Sequence, residues 1–212
     1  MPRTAIPTKD RGRGGDNLAR ELKDKYSFNR YDYVAPTPSS TPNVLGRLRD
    51  RVDRWEEMGA SEFILQTLRH GYKLPLIDNP ERKCFKNNKS ALRNQDFVDQ
   101  AIEELLSSGR IIEVHTSPHV VNPLSVSENG EKKRLILDLR YVNQHLWKQH
   151  VKFEDFKVFR NFIKKGSFMF QFDFRSGYHH IDIFEEHWCY LGFSWTKNGV
   201  TKYYVSLFSP LV

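Results

Sequence analysis

The sequence predicts an α+β fold, and three observations carry that expectation. Apolar residues recur at helical spacing in three stretches, near 44–70, 94–108 and 153–164. Asn129-Gly130 and Asn198-Gly199 each sit between short runs of β-forming residues, the signature of antiparallel hairpins. Phe168, Phe170, Phe172 and Phe174 alternate with Met169, Gln171 and Asp173, a period of two that puts four rings on one face of a strand. Helices mixed with largely antiparallel strands define the class. With 39% hydrophobic and 13% aromatic residues in 212, including 15 Phe and 9 Tyr, the chain has enough apolar material for a substantial core.

The elements follow in order. Leu48, Val52, Trp55 and Met58 form one helical stripe, and after Gly59 it continues through Phe63, Ile64, Thr67 and Leu68. Gly71 ends it, and Tyr72 to Leu76 reads as an extended exit. Residues 78–93 carry Arg82, Lys83, Lys86, Lys89 and Arg93 against Asp78 and Glu81. That composition predicts a solvated loop, with contact to a phosphate backbone as the alternative. Asn94 is placed to cap a helix running to about Ser108, with Phe97, Val98, Ala101, Ile102, Leu105 and Leu106 on one face and Gly109 as its stop. Strands are expected at Ile111–Val114, Val120–Val126 and Arg134–Leu139, the last two joined across Glu128-Asn129-Gly130-Glu131. An amphipathic helix from Phe153 to Lys164 stops at Gly166, a strand covers Ser167–Phe174, and Leu191–Trp195 pairs with Thr201–Val205 across Lys197-Asn198-Gly199.

Residues 1–43 read as a weakly structured basic and Pro-rich segment. Its Arg11-Gly12-Arg13-Gly14-Gly15 patch suits either contact with RNA or a simple solvated tail. The net charge of +7 and pI of about 9.4 fit a polyanionic partner, because each cation that neutralises a phosphate releases a counterion; plain solubility explains the charge equally well. Cys84 and Cys189 stand far apart with no CxxC spacing, which argues against a disulfide framework or a zinc ribbon and fits a reducing compartment. No apolar stretch approaches the roughly 18 residues of a membrane span, and Met1 to Asp16 contains no apolar signal core. The expected location is intracellular, cytoplasmic and/or nuclear, neither secreted nor in a membrane.

Asp173 closes the alternating aromatic strand. A carboxylate there is what two-metal phosphoryl-transfer sites use, although a lone strand-end Asp is more often a turn-former. The surrounding blocks sharpen the reading. Phe172-Asp173-Phe174-Arg175-Ser176-Gly177-Tyr178-His179-His180-Ile181 resembles the first catalytic block of reverse transcriptases of the long-terminal-repeat type. Lys133-Arg134-Leu135-Ile136-Leu137-Asp138-Leu139-Arg140-Tyr141-Val142-Asn143 is similar to their preceding fingers block, and Asn122-Pro123-Leu124-Ser125-Val126 to the strand that leads into it. His179-His180-Ile181-Asp182-Ile183, Leu191-Gly192-Phe193-Ser194-Trp195 and Tyr203-Tyr204-Val205 look most like DIRS-type (tyrosine-recombinase) retrotransposons. So does the upstream Trp55…Gly71-Tyr72-Lys73-Leu74-Pro75. The resemblance covers about residues 45–205.

What the resemblance implies is specific. The organisation would be a helical pre-polymerase region and basic loop at 44–93, then reverse transcriptase fingers and the first part of the palm at 94–212. Asp173 would be the catalytic metal ligand for Mg²⁺ or Mn²⁺, with the backbone carbonyl of Phe174 as a second ligand. Tyr178 would gate the sugar of an incoming dNTP against a 2′-hydroxyl, where its ordinary role is core packing. Arg134, with Lys133 and Lys132, would neutralise the triphosphate, and backbone N–H groups of Arg175, Ser176, Gly177 and Tyr178 would hold phosphate oxygens. The partners would be a template–primer of RNA or DNA and a dNTP. Asp138, Arg140 and Asn143 read as loop-fixing residues, and His179 and His180, on opposite faces of a strand, join no site.

The sequence also departs from the family. Where a Leu-Pro-Phe-Gly-Leu type turn is expected, it reads Ser206-Leu207-Phe208-Ser209-Pro210-Leu211-Val212, and no Asp-Asp pair occurs anywhere. Thumb, RNase H region and recombinase are likewise absent from these 212 residues. With one carboxylate in place of three, the chain alone is expected to lack polymerase activity. A non-catalytic nucleic-acid-binding remnant is the alternative, and a chain that does not fold is the third.

Overall fold

The computed structural model describes residues 46–148, 155–171, 173 and 177–208. It is an α+β structure built on a five-stranded mixed sheet with a separate two-stranded arm. Helices α1 (Val52–Glu57) and α2 (Glu62–His70) come first, broken at Gly59, and only α2 buries residues, Leu65 and Leu68. Then follow β1 (Lys83–Cys84), α3 (Lys89–Arg93) and α4 (Gln95–Ser107). Next are β2 (Ile111–Val114), β3 (Val120–Asn122), β4 (Leu124–Asn129), β5 (Lys132–Leu137) and α5 (Arg140–Gln144). The last elements are α6 (Phe156–Arg160), β6 (Gly192–Lys197) and β7 (Val200–Ser206).

The sheet order is β1-β3-β6-β7-β2. β1 and β6 flank β3 in parallel, while β7 runs antiparallel to both β6 and β2. All three residues of β3 are buried, as a central strand covered on both faces requires. On one face α4 brings Val98 and Ile102 against Ile111, Leu124, Phe193, Trp195 and Tyr204. A second cluster joins Val120, Leu139, Val142, Ile183, Tyr190 and Leu191. Asn122 is wholly buried yet polar, and its Nδ2 donates to the carbonyls of Tyr190 (2.9 Å) and Gly192 (3.0 Å), which fixes the entry to β6.

Trp195 ties β6 to α4 in the same way. Its Nε1 donates to Asp99 Oδ1 at 2.6 Å, and Lys197 reaches Asp99 (3.2 Å) and Glu103 (3.0 Å) on the same helix. Trp195→Phe removes a hydrogen bond to a carboxylate and some ring volume, so a loss of about 2 kcal/mol is expected in urea titration. A shift below roughly 0.5 kcal/mol, the scatter of neutral surface changes, would show that the indole N–H contributes nothing.

The strand and helix expectations at Ile111–Val114, Leu191–Trp195, Thr201–Val205 and Asn94–Ser108 match the observed elements to within two residues. Several others need correction. The segment at 78–93 is no plain loop: Lys83–Cys84 becomes an edge strand and Lys89–Arg93 a short helix whose Ala91 is fully buried. The expected strand Val120–Val126 breaks at Pro123, which has no N–H for a ladder, and its halves enter different sheets. The β5 strand begins two residues before Arg134 and ends at Leu137. The helix expected from Phe153 spans only Phe156–Arg160 among the described residues, with Asp155 accepting from the N–H groups of Lys157 and Val158 as its cap. His179 and His180 lie in a 3₁₀ turn, Gly177–His180, and not on a strand.

The expected aromatic strand departs furthest. Its described residues, 167–171 and 173, form no strand, and Phe168 and Phe170 are 102% and 88% exposed. A period of two specifies which side chains share a face, but it supplies no partner for the strand's N–H and C=O groups. None of the described strands pairs with this segment. Phe172 and Phe174 lie outside the described residues.

Candidate nucleotide and nucleic-acid cleft

The β4–β5 hairpin is the arm on which the expected phosphate-binding cations ride. It pairs in register from Leu124↔Leu137 to Asn129↔Lys132, leaving Gly130-Glu131 as a two-residue loop. Gly130 has φ +59 and Asn129 is not left-handed, so the turn is of the Gly-first kind, one residue off the Asn-Gly register of the local signal. In the β6–β7 hairpin, by contrast, Asn198 (φ +52) and Gly199 (φ +77) form the Asn-Gly turn as expected.

Between this arm, α4 and the end of β7 lies a cleft of about 1390 Å³. Lys132, Lys133, Arg134, Asp173 and Gly177 all line it, so five residues selected from the sequence border one space. Arg110, Asp138 and Arg140 line it too, giving five cations against three carboxylates once Glu104 is included. Arg110 carries no local signal in the sequence. It reaches the cleft because β2 pairs with β7, bringing the residue after the α4 stop beside Ser206 and Phe208.

Asp138 and Arg140 are joined by three side-chain hydrogen bonds of 2.6–3.0 Å, and the Asp138 oxygen also accepts from the Arg140 N–H. The Arg140 guanidinium holds the Asp138 carboxyl below its usual range. The pair consumes its own charge, which is the loop-fixing role expected of it. Lys133 Nζ donates to Asn94 Oδ1 at 2.5 Å. Asp173 is exposed. Phe174, Arg175 and Ser176 lie outside the described residues, as does the side chain of Tyr178, whose backbone belongs to the 3₁₀ turn.

Among the described residues no group of three or more His, Cys, Asp or Glu side chains is placed to hold a metal ion. Asp138 and Glu104 line the same cleft as Asp173, but among the described residues the three are not placed to hold a metal ion together. No helix among the described residues is long and apolar enough to cross a membrane.

No family model matches the chain, and no curated protein matches it. Among solved structures it is similar to the native protease-reverse transcriptase of prototype foamy virus, at 19% identity over 66% of this chain and 18% of that one, with a TM-score of 0.49. A foamy viral protease-reverse transcriptase in complex with dsDNA gives 16% identity over 92% and 34%, with a TM-score of 0.45. The prototype foamy virus enzyme in its CSH mutant form gives 15% over 90% and 24%, with a TM-score of 0.49. The chain thus spans about a third or less of those chains, and the likeness is too low to define a shared fold by itself.

Proposed function

We propose that this chain is the fingers and the opening of the palm of a reverse transcriptase, an RNA-directed DNA polymerase of the DIRS-type retrotransposons. The observation that carries the reading is convergence. Described residues of two sequence blocks some 40 residues apart, each block resembling a polymerase block, border one cleft with net positive lining. In this reading Arg134 and Lys132 on the arm attract the phosphates of a nucleotide or template–primer, acting as point charges on an exposed strand. Asp173 would be one ligand of the Mg²⁺ pair that the whole enzyme uses to activate the attacking hydroxyl. Among the described residues Asp173 belongs to no group of three metal-ligating side chains, so no catalytic step is assigned to this chain.

A second reading, a nucleic-acid-binding unit without catalysis, accounts for the same positively lined cleft. One experiment tests both. The purified 212-residue protein is given a template–primer, Mg²⁺ and dNTPs at several salt concentrations. The expected result is salt-dependent binding, weakening by about 0.9 in log–log slope per phosphate neutralised, with no primer extension. Extension that is abolished by Asp173→Ala would show instead that the chain is a working polymerase. Absence of binding at any salt would sink both readings.

A further inference from the structure

The most unexpected local contact lies at the start of α4. Asn94 occupies the N-cap position, yet its side chain caps nothing there. Its Nδ2 donates to the Ser90 carbonyl (3.0 Å) and to Glu128 Oε1 on β4 (2.8 Å), and its Oδ1 accepts from Lys133 on β5. A helix without a side-chain cap commonly forgoes part of its stability. Here the group is used to grip both strands of the arm.

It does not act alone. Leu124 N–H donates to Asn87 Oδ1 (2.8 Å), Asn88 N–H donates to the Leu124 carbonyl (2.9 Å), and Val126 N–H donates to Ser90 Oγ (3.1 Å). Asn88 Nδ2 donates to Ser125 Oγ at 2.6 Å. These groups satisfy the outer edge of β4 much as a neighbouring strand would. A two-stranded sheet by itself is marginal in water, so the arm's direction depends on this docking. Alternation along β5 then sorts its cations. Lys133 shares a face with Leu135 and Leu137, which pack against the core, whereas Lys132, Arg134 and Ile136 share the other.

We infer that Asn87, Asn88, Ser90 and Asn94 form a positioning bracket for the arm, and that Lys133 belongs to this bracket and not to the ligand-binding set. By this inference Lys132 and Arg134 remain as the arm's cations for a phosphate, and neither has an ion pair among the described residues. This inference rests on the functional reading above for the ligand, but the bracket itself is tested without one.

The test uses the full chain, a short DNA duplex as probe, and hydrogen exchange across residues 124–137. Lys132→Ala and Arg134→Ala should each flatten the log–log salt slope of duplex binding by about 0.9 for every phosphate no longer neutralised, with exchange in the arm unchanged. Lys133→Ala and Asn94→Ala should leave that slope as it is and speed exchange in the arm. Ser90→Ala should speed it as well, and Ser90→Thr, which keeps the hydroxyl, should restore the slow exchange. Lys133→Ala flattening the slope as much as Arg134→Ala would overturn the sorting of the cations. Arm exchange that stays slow in both Asn94→Ala and Ser90→Ala would overturn the bracket. Failure of the wild-type protein to bind the duplex would overturn the functional reading and the cation assignment, while the exchange data would still decide the bracket.

Discussion

Gly71→Ala should destabilise the protein by roughly 2–6 kcal/mol, enough to unfold many domains of this size. Two costs add. Gly71 sits at φ +90, ψ +158, a backbone region that is essentially glycine-only. A Cβ there would also lie 2.6 Å from the Ile183 carbonyl carbon and the Phe184 nitrogen. Neither neighbour can swing aside, because both belong to the backbone that receives the next residues of the chain. Tyr72 N–H donates to the Asp182 carbonyl (2.7 Å) and Phe184 N–H to the Tyr72 carbonyl (3.1 Å). The strap then continues to the α5 side, where Ile77 N–H donates to the His145 carbonyl (2.9 Å) and Trp147 N–H to the Pro75 carbonyl (2.8 Å). Thermal melting followed by circular dichroism reads the effect. A variant that melts within a few degrees of wild type would show that the strap is not closely docked at Gly71.

Acid should weaken the same region through His187. Its Nδ1 accepts from the Leu74 N–H at 2.9 Å, so the ring must be neutral on that side. Burial, with the nearby Lys73 ammonium adding to it, lowers its pKa from 6.5 to about 4. The folded chain therefore refuses a proton that an unfolded histidine accepts. The stability this provides is fully present above pH 6.5 and is lost as the pH falls toward 4. Each pH unit in that window is worth about 1.4 kcal/mol, so the complete loss is on the order of 3 kcal/mol. His187→Asn keeps an acceptor near Leu74 and cannot titrate. From roughly pH 6.5 to 5, above the range where most carboxylates titrate, wild type should lose about 2 kcal/mol relative to the variant. Parallel stability curves for the two proteins over that range would rule the histidine out as the cause.

The α4 helix and the β6–β7 hairpin are legible in the sequence because each is set by neighbours along the chain: a 3.6-residue stripe ended by Gly109, and an Asn-Gly pair in which both residues adopt positive φ. The residues around Arg134 and Asp173 stand out in the same local way, as contiguous blocks, and Lys132, Lys133, Arg134, Asp173 and Gly177 border one cleft. The charge run at 82–93 misleads, because its Lys and Arg conceal the short polar groups that do the packing. Asn87, Asn88 and Ser90 have meaning only beside β4, more than 30 residues away. Asn94 reads as a cap for the helix it precedes and serves instead the strands it faces.

By itself, then, the sequence determined the α+β class, most of the element positions and the candidate cations and carboxylate, since these follow from local spacing and from which residue types stand together. Tertiary structure alone decided the mixed order of the sheet, the arrival of Arg110 in the cleft, and the bond from Lys133 to Asn94. It also left the described part of the aromatic run before Asp173 outside any strand. The physical reason is common to all four. A side chain's face is set by its own backbone period, but what meets that face is set by hydrogen-bond and packing partners distant in the chain, and no local pattern records them.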